Sequence, residues 1–309
     1  MWKVRHPFYK MKYAALVLLS FLCGLCFALH SAAQQSSSAQ QNNQLTSLLI
    51  KLKTGITLNY VVQGDPKGPV ILLLHGAGDS WHSFDRVFPL IPSRFRVYAV
   101  TMRGHGLSDH PETGFSREDF AADILALMDQ LHLEHVTLAG HSLGSMVAQK
   151  VAEEDAGHLD RLVLISSGPP RKRVGNSNSA TSEFAGMKDP VPYTLARDFQ
   201  SETIYGPVPA WFYEKLVDEA ELVPAATWRG LGSALNSNDT VDDLKKIRVP
   251  TLIVWGDKDV YFKKDDEDVL VKTIPNAKFK LYAETGHALH WEQPERFTKD
   301  MLDFIAATK

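Results

Sequence analysis

The stretch that decides the fold is HVTLAGHSLGSMVAQKVA, residues 135–152. Its first part, His135–Ala139, is a short apolar run of the length expected of a buried β-strand, and the part from Ser145 onward has helical character. Between them lies Gly140-His141-Ser142-Leu143-Gly144, a G-x-S-x-G pattern whose glycines permit a tight reversal from strand to helix. This context predicts that Ser142 sits on a strained turn above a sheet edge, beside the unpaired N–H donors of a helix N-terminus.

Strand and helix signals continue on both sides of this turn. Residues 47–53 and 56–62 alternate apolar with polar around Thr54-Gly55, which predicts a β-hairpin. The clearest helix begins at Ser116, where Asp119 completes a capping-box pattern. Apolar runs of strand length also occur at Pro69–Leu74, Arg96–Thr101, Arg161–Ser166 and Thr251–Trp255. Strands that alternate with helices predict an α/β fold with a mostly parallel sheet and helices on both faces.

The alternation stops between residues 169 and 246. This segment begins rich in Gly, Pro, Ser and Asn and continues as amphipathic pieces without a strand signal. We predict a mostly helical excursion above a core formed by residues 45–168 and 247–309. Eight aromatic residues fall in the excursion: Phe184, Tyr193, Phe199, Tyr205, Trp211, Phe212, Tyr213 and Trp228. They either line an apolar pocket or form the excursion's own core, and the sequence supports both hypotheses.

The first 33 residues have the three parts of a secretory signal peptide. Four cations precede an apolar run over Ala14–Leu29, and Ser31-Ala32-Ala33 provides a small-x-small cleavage site, so we predict a cut after Ala33. The apolar run has 16 residues, fewer than the roughly 20 that span a bilayer. An uncleaved membrane anchor is the alternative. Residues 34–44 contain only Gln, Ser, Ala, and Asn and are predicted to be a disordered linker. A secreted or periplasmic protein is expected.

Composition excludes several functions. Removal of the signal segment would take the formal net charge from −3 to −7, which disfavours nucleic-acid binding. Both cysteines, Cys23 and Cys26, lie in that segment, so cysteine catalysis and thiolate metal sites are excluded from the mature chain. Neither a G-x-G-x-x-G motif nor a P-loop occurs, so no nucleotide cofactor is predicted.

No metal is predicted either. His287 and His290 form an isolated His-x-x-His pair without further clustered ligands. The acidic run Asp265–Asp268 is interpreted as the solvated first turn of a helix, where negative charge is favoured, with a calcium site as the alternative.

A serine nucleophile needs a base that takes its proton and a carboxylate that orients the base. Both residue types follow later strands of the predicted sheet. The strand Thr251–Trp255 leads into a loop with two acids, Asp257 and Asp259, and a later strand leads to His287. In α/β proteins where a G-x-S-x-G turn presents a nucleophilic serine, the acid and the histidine follow that serine in the same order.

With these motifs in place, the chain resembles the α/β-hydrolase superfamily over nearly all of the mature sequence. Besides the turn at Ser142, the resemblance rests on His75-Gly76-Ala77-Gly78, Arg103-Gly104-His105-Gly106, Trp255-Gly256-x-x-Asp259 and Gly286-His287. It implies a doubly wound, mostly parallel, eight-stranded sheet with a helical lid, residues 169–246, inserted after the sixth strand.

The resemblance also implies roles for single residues. Ser142 would be the nucleophile, His287 the general base and then acid, and Asp259 its orienting partner. Asp259 is preferred to Asp257 because the third position after Gly256 is the family's usual one. The backbone N–H groups of Ala77 and Leu143 would form the oxyanion hole, and no cofactor is required.

The function expected from this resemblance is that of an exported carboxylic ester hydrolase. It would cleave a small ester or lactone through an acyl-enzyme, because serine rather than aspartate at position 142 sets the chain apart from the branches that alkylate their enzyme. A cofactor-free haloperoxidase, a carbon–carbon bond hydrolase and a ligand-binding sensor with little turnover remain alternatives. His75 and His105 are interpreted as structural, and His141 as packing under the turn.

Overall fold

The computed structural model describes residues 45–154, 157–170, 184, 186–235 and 240–308. The predicted signal peptide and linker lie outside the described residues. Among the described helices, none has the length and hydropathy needed to cross a bilayer.

An eight-stranded sheet forms the centre of the described chain. Its strands are β1 (Thr46–Lys51), β2 (Thr57–Gly64), β3 (Val70–Leu74), β4 (Arg96–Thr101), β5 (Val136–His141), β6 (Leu159–Ile165), β7 (Thr251–Gly256) and β8 (Ala277–Tyr282). Their order is β1-β2-β4-β3-β5-β6-β7-β8. Strand β2 is antiparallel to both of its neighbours, and the remaining pairs are parallel. The predicted α/β fold class and the opening hairpin are confirmed.

The central strands are apolar throughout because both faces of the sheet are covered. In β3, Ile71 and Leu73 enter one hydrophobic cluster, whereas Leu72 and Leu74 enter another on the opposite face. This division follows from the two-residue period of a strand, which sends successive side chains to opposite faces. The continuous apolar runs read from the sequence are therefore strands buried on both sides.

Eight α-helices are described. They are α1 (Arg117–Leu131), α2 (Leu143–Glu154), α3 (Tyr193–Glu202), α4 (Ala210–Glu221), α5 (Ala225–Leu235), α6 (Lys264–Thr273), α7 (Leu289–Glu292) and α8 (Pro294–Ala307). The start of α1 is as predicted. The Ser116 hydroxyl accepts from the Asp119 N–H at 3.1 Å, and the Asp119 carboxylate accepts from the Ser116 N–H at 2.9 Å.

The polypeptide between β6 and β7 contains α3, α4, α5 and a short 3₁₀-helix, Val241–Lys246. Its described part holds no strand. We call the described residues from Phe184 to Lys246 the helical insert. Its helices α3 and α4 pack on each other, and several of its apolar side chains join the large cluster on one face of the sheet.

The acidic run at the start of α6 is less solvated than predicted. The run does occupy the first helical turn, but Asp266 is 4% exposed and Glu267 is fully buried. The Asp266 carboxylate accepts from the backbone N–H of the N-cap residue Lys263 at 2.9 Å, which satisfies a donor at the start of the helix. Burial, with the charge of Asp259 adding to it, raises the pKa of Glu267 well above its usual range.

Candidate active site

Ser142 occupies the turn between β5 and α2 with a backbone φ of +51°. Positive φ is uncommon for a residue with a side chain, and such strain is concentrated at functional positions. Two glycines make the turn possible. A Cβ on Gly140 would lie 2.1 Å from the Gly144 carbonyl oxygen, and a Cβ on Gly144 would lie 2.5 Å from the Leu74 carbonyl oxygen. The Ser142 N–H donates to the Ile165 carbonyl at 3.0 Å, which ties the turn to β6.

His287 and Asp259 form a buried pair. The imidazole Nδ1 lies 2.8 Å from the Asp259 Oδ2, and the two residues are 3% and 4% exposed. The other carboxylate oxygen of Asp259 accepts from the N–H groups of Tyr261 and Phe262 at 2.8 and 3.0 Å. Because the carboxylate oxygen accepts from Nδ1, Nε2 is left free to take a proton.

The rival acid, Asp257, is not at the imidazole. Its N–H donates to the Tyr282 carbonyl at 3.0 Å, and its buried Oδ1 has no hydrogen-bond partner among the described residues. The structure therefore pairs His287 with Asp259, the acid preferred from the sequence.

A cavity of about 60 Å³ lies at the carboxyl ends of the central strands. Ser142 and His287 border it, as do Ala77 and Leu143, so four of the five predicted site residues surround one space and Asp259 stands behind the imidazole. Its remaining lining residues are Gly76, Asp79, His141, Phe184, Phe199, Gln200, Thr203, Leu231, Tyr261, Phe262 and Trp291. The walls are mainly apolar, which suits a small substrate with few polar groups.

Two buried histidines hold the loop that carries Ala77. The His75 Nε2 accepts from the Met102 N–H at 2.9 Å, and its Nδ1 contacts the Gly76 carbonyl at 2.7 Å. The His105 Nε2 accepts from the Gly78 N–H at 3.2 Å. Burial lowers the pKa of His105 to about 4 and that of His75 well below its usual range. Both rings are therefore neutral near pH 7, and their contacts with loop backbone agree with the predicted structural role.

His141 borders the cavity, and the His290 ring packs 4.5 Å from its ring. The His141 ring is buried, its Nε2 is 3.3 Å from the His287 carbonyl oxygen, and burial holds its pKa well below the usual range. The His290 Nε2 lies 3.2 Å from the Ser83 hydroxyl, and burial lowers the His290 pKa to about 3. The two ends of the His-x-x-His pair thus have separate partners, and the described residues contain no group of three or more metal-ligating side chains.

Some aromatic residues of the helical insert line the cavity, and others form a core within the protein, so both predicted roles occur. Phe184 and Phe199 border the cavity. Trp228 is buried behind them, with its ring 4.9 and 5.0 Å from theirs, while Phe212 packs against Trp291 in a separate cluster. Trp211, by contrast, is 61% exposed. The aromatics thus supply both a cavity wall and an internal core.

Two polar residues of the cavity were missed by sequence reasoning. Asp79 follows the predicted oxyanion loop, and Gln200 lies on α3. The Gln200 Nε2 donates to the Asp79 Oδ1 at 2.9 Å, and burial raises the pKa of Asp79 to about 7. A carboxylate directly after a buried strand and His-Gly-Ala-Gly could have been noticed. Nothing in the sequence around Gln200 marks it.

Glu292 joins the helical insert to the histidine loop. Its carboxylate accepts from the backbone N–H groups of Tyr205, Gly206 and Gly286, at 3.1, 2.6 and 2.9 Å. Gly286 precedes His287, so one side chain ties the loop of His287 to the segment that follows α3. No role for Glu292 was predicted from the sequence.

The strand order, with a strained serine turn after β5 and a histidine–carboxylate pair after β8 and β7, defines the class of α/β hydrolases. The family model described as "Alpha/beta hydrolase family" matches residues 71–300, and the chain belongs to this family.

Relatives and solved structures agree with this assignment. The chain is 28% identical over 267 residues to "AB hydrolase superfamily protein YisY" of Bacillus subtilis, covering 82% of this chain and 97% of the relative. It is 29% identical over 260 residues to a "Non-heme haloperoxidase" of Rhodococcus erythropolis, covering 77% and 92%. The structure of a putative aryl esterase from Burkholderia cenocepacia superposes with a TM-score of 0.77 at 24% identity, covering 85% and 98%.

Proposed function

We propose that the protein is a serine hydrolase that cleaves a small carboxylic ester or lactone with Ser142, His287 and Asp259. The observation that carries the proposal is the buried contact of 2.8 Å between His287 and Asp259, at a cavity that His287 shares with the strained Ser142. A hydroxyl becomes an effective nucleophile only beside an oriented base, and this arrangement supplies one.

In the proposed mechanism, the His287 Nε2 takes the proton from the Ser142 hydroxyl as its oxygen attacks the substrate carbonyl. The N–H groups of Ala77 and Leu143 donate to the oxyanion of the tetrahedral intermediate. Protonated His287 then gives its proton to the leaving alcohol, and an acyl-enzyme remains. A water that His287 deprotonates attacks the acyl-enzyme, and the acid departs as Ser142 regains its proton.

The size of the cavity supports a small acyl group. About 60 Å³ of free space corresponds to a few water molecules, and the walls at Phe184, Phe199 and Leu231 come from the helical insert. We propose that this insert is the lid over the site. A longer acyl chain would have to displace it.

The proposal is tested with p-nitrophenyl esters of increasing acyl length. We expect turnover to be highest for short acyl groups and to fall to background in Ser142→Ala, by about four powers of ten or more. Unchanged turnover in Ser142→Ala would remove the residue from the mechanism. A ligand-binding sensor would give a folded protein without turnover of any ester in the series.

A cofactor-free haloperoxidase is the second candidate, favoured by the likeness to the Rhodococcus protein of that name. It is separated from ester hydrolysis by measuring bromination of a diketone with hydrogen peroxide and bromide. Bromination that is lost in Ser142→Ala together with esterase activity would assign both to one site.

We also propose that residues 1–33 direct export and are removed after Ala33. The four cations, the apolar run and the small residues of that segment support the proposal. N-terminal sequencing of the exported protein tests it, because a retained segment would make the protein membrane-attached.

A further inference from the structure

The polar residues that border the cavity include two sets, besides His141, Thr203 and Tyr261. Ser142 and His287 make up the first and are assigned to the reaction. Asp79 and Gln200 make up the second, and they are 2% and 0% exposed. They come from different elements, Asp79 from the loop after β3 and Gln200 from α3 of the helical insert.

The hydrogen bonds of this second set are incomplete. The Gln200 Nε2 donates to the Asp79 Oδ1 at 2.9 Å and to the Leu216 carbonyl at 3.4 Å, so both amide hydrogens have acceptors. The Ser83 hydroxyl donates to the Asp79 Oδ2 at 3.2 Å. The Gln200 Oε1, however, has no partner among the described residues. A buried amide oxygen without a donor is costly, so we take the unpaired oxygen of a residue that borders the cavity as a sign of a missing partner.

We propose that Asp79 and Gln200 form a polar subsite that binds a neutral hydrogen-bond donor of the substrate, a hydroxyl or an amide N–H. The subsite would make the enzyme selective for esters or lactones that carry such a group near the reacting carbonyl. This inference rests on the proposed function and narrows its substrate class.

The chemistry of the subsite specifies a donor that is neutral. The unpaired Gln200 Oε1 is an acceptor only and requires a donor, whereas protonated Asp79 has one O–H donor of its own beside its free lone pairs. Because burial keeps Asp79 protonated up to about pH 7, the subsite holds no fixed negative charge to offset a buried ammonium. A purely structural contact between loop and insert would need only the bond from Nε2 to Oδ1, and it would not explain the unpaired Oε1.

Isosteric substrate pairs test the proposal, since each pair differs only in the donor. The p-nitrophenyl esters of lactate and isobutyrate differ by hydroxyl against methyl, and those of N-acetylglycine and levulinate by N–H against CH₂. The measured quantity is the ratio of kcat/KM between the two esters of each pair. It is divided by the ratio of their second-order rate constants for hydroxide-catalysed hydrolysis, which corrects for intrinsic reactivity. We expect at least one pair to favour the donor about tenfold or more in the wild type, because a substrate without the donor leaves a buried acceptor unpaired.

Gln200→Met removes the acceptor at nearly constant length and should bring the preferred ratio to within about twofold of one. Gln63→Met is the matched control. Gln63 is also a buried glutamine, but it donates to the Phe88 carbonyl away from the cavity, so the ratio should persist. An equal ratio in the wild type and Gln200→Met would overturn the proposal.

If Gln200→Met does not fold, the wild-type ratios alone test the proposal. A preference for the donor-bearing ester of less than tenfold in both pairs would overturn it. Hydrolysis of isobutyrate and levulinate esters that depends on Ser142, without any donor preference, would refute the subsite and leave the proposed function standing. Absence of hydrolysis of all four esters would refute both.

Discussion

Two buried carboxyl groups differ in their surroundings: Asp79 borders the cavity, whereas Asp259 stands behind the His287 imidazole. Asp259 receives the His287 imidazole and two backbone N–H groups, all from loops that follow strands of the sheet. Asp79 receives two side-chain donors, from Ser83 and from Gln200 of the helical insert, and burial raises its pKa to about 7. In the proposed function the first carboxyl orients a base, whereas the second contacts the substrate. Environment rather than residue type separates the two roles.

The largest effect is expected at the first carboxyl. Asp259→Asn should lower kcat/KM by about 10³- to 10⁴-fold with the fold intact, because the amide no longer fixes the imidazole in the tautomer that leaves Nε2 as the base. Ester hydrolysis measures kcat/KM, and circular dichroism checks that the fold is intact. Asp257→Asn is the matched control and should stay within about twofold of the wild type, since Asp257 does not contact His287. A large loss of activity in Asp257→Asn with little loss in Asp259→Asn would instead make Asp257 the partner of His287.

The second carboxyl should affect stability and its pH dependence. In the unfolded chain Asp79 ionises near its ordinary pKa of 3.8, but in the folded protein it keeps its proton to about pH 7. Between these values folding takes up a proton, so the wild type loses stability as pH rises from about 4 to 7 and the loss levels off above.

Asp79→Asn imitates the neutral carboxyl and removes this loss. The free energy of unfolding of the variant should therefore increase relative to that of the wild type as pH rises, by at most about 4 kcal/mol at pH 8. Urea unfolding at several pH values between 5 and 8 measures the difference. A difference that does not change with pH would show that Asp79 is not held neutral by burial.

A smaller effect is expected at the contact between the insert and the histidine loop. Glu292→Gln replaces one acceptor oxygen by an NH₂ group that faces backbone N–H donors, and it should cost about 1–3 kcal/mol of stability. Thermal unfolding checks the cost. Glu295→Gln, at an exposed position three residues further along the chain, should cost less than about 0.5 kcal/mol. Equal costs in the two variants would contradict the bridging role of Glu292.

Sequence patterns predicted the sheet and its loops well because the signals are local. Continuous apolar runs identified buried strands such as β3, and the glycines around Ser142 identified a turn that tolerates no Cβ. The end of β5 was placed too early, since the strand continues through Gly140 to His141. Gly140 and His141 are not apolar residues of the kind that marks a strand, but their backbones still pair with Leu164 and Ile165 of β6.

The helical insert was predicted less well because tertiary packing decides it. Which aromatic residues of α3 and α5 face the cavity depends on how the helices dock, and helical periodicity alone does not fix that. The pairing of Asp79 with Gln200 joins positions 121 residues apart. The burial of Glu267 was missed for a similar reason, since a run of four acids resembles a solvated helix start whichever side faces the core.

The central claim is that Ser142 is an activated nucleophile beside an oriented His287. Its most direct test is labelling with a fluorophosphonate, followed by mass spectrometry of the digested protein. The account predicts one adduct, on the peptide that contains Ser142, absent in Ser142→Ala and formed far more slowly in Asp259→Asn. A well-folded wild-type protein that takes up no label, or that carries it on another serine, would contradict the account.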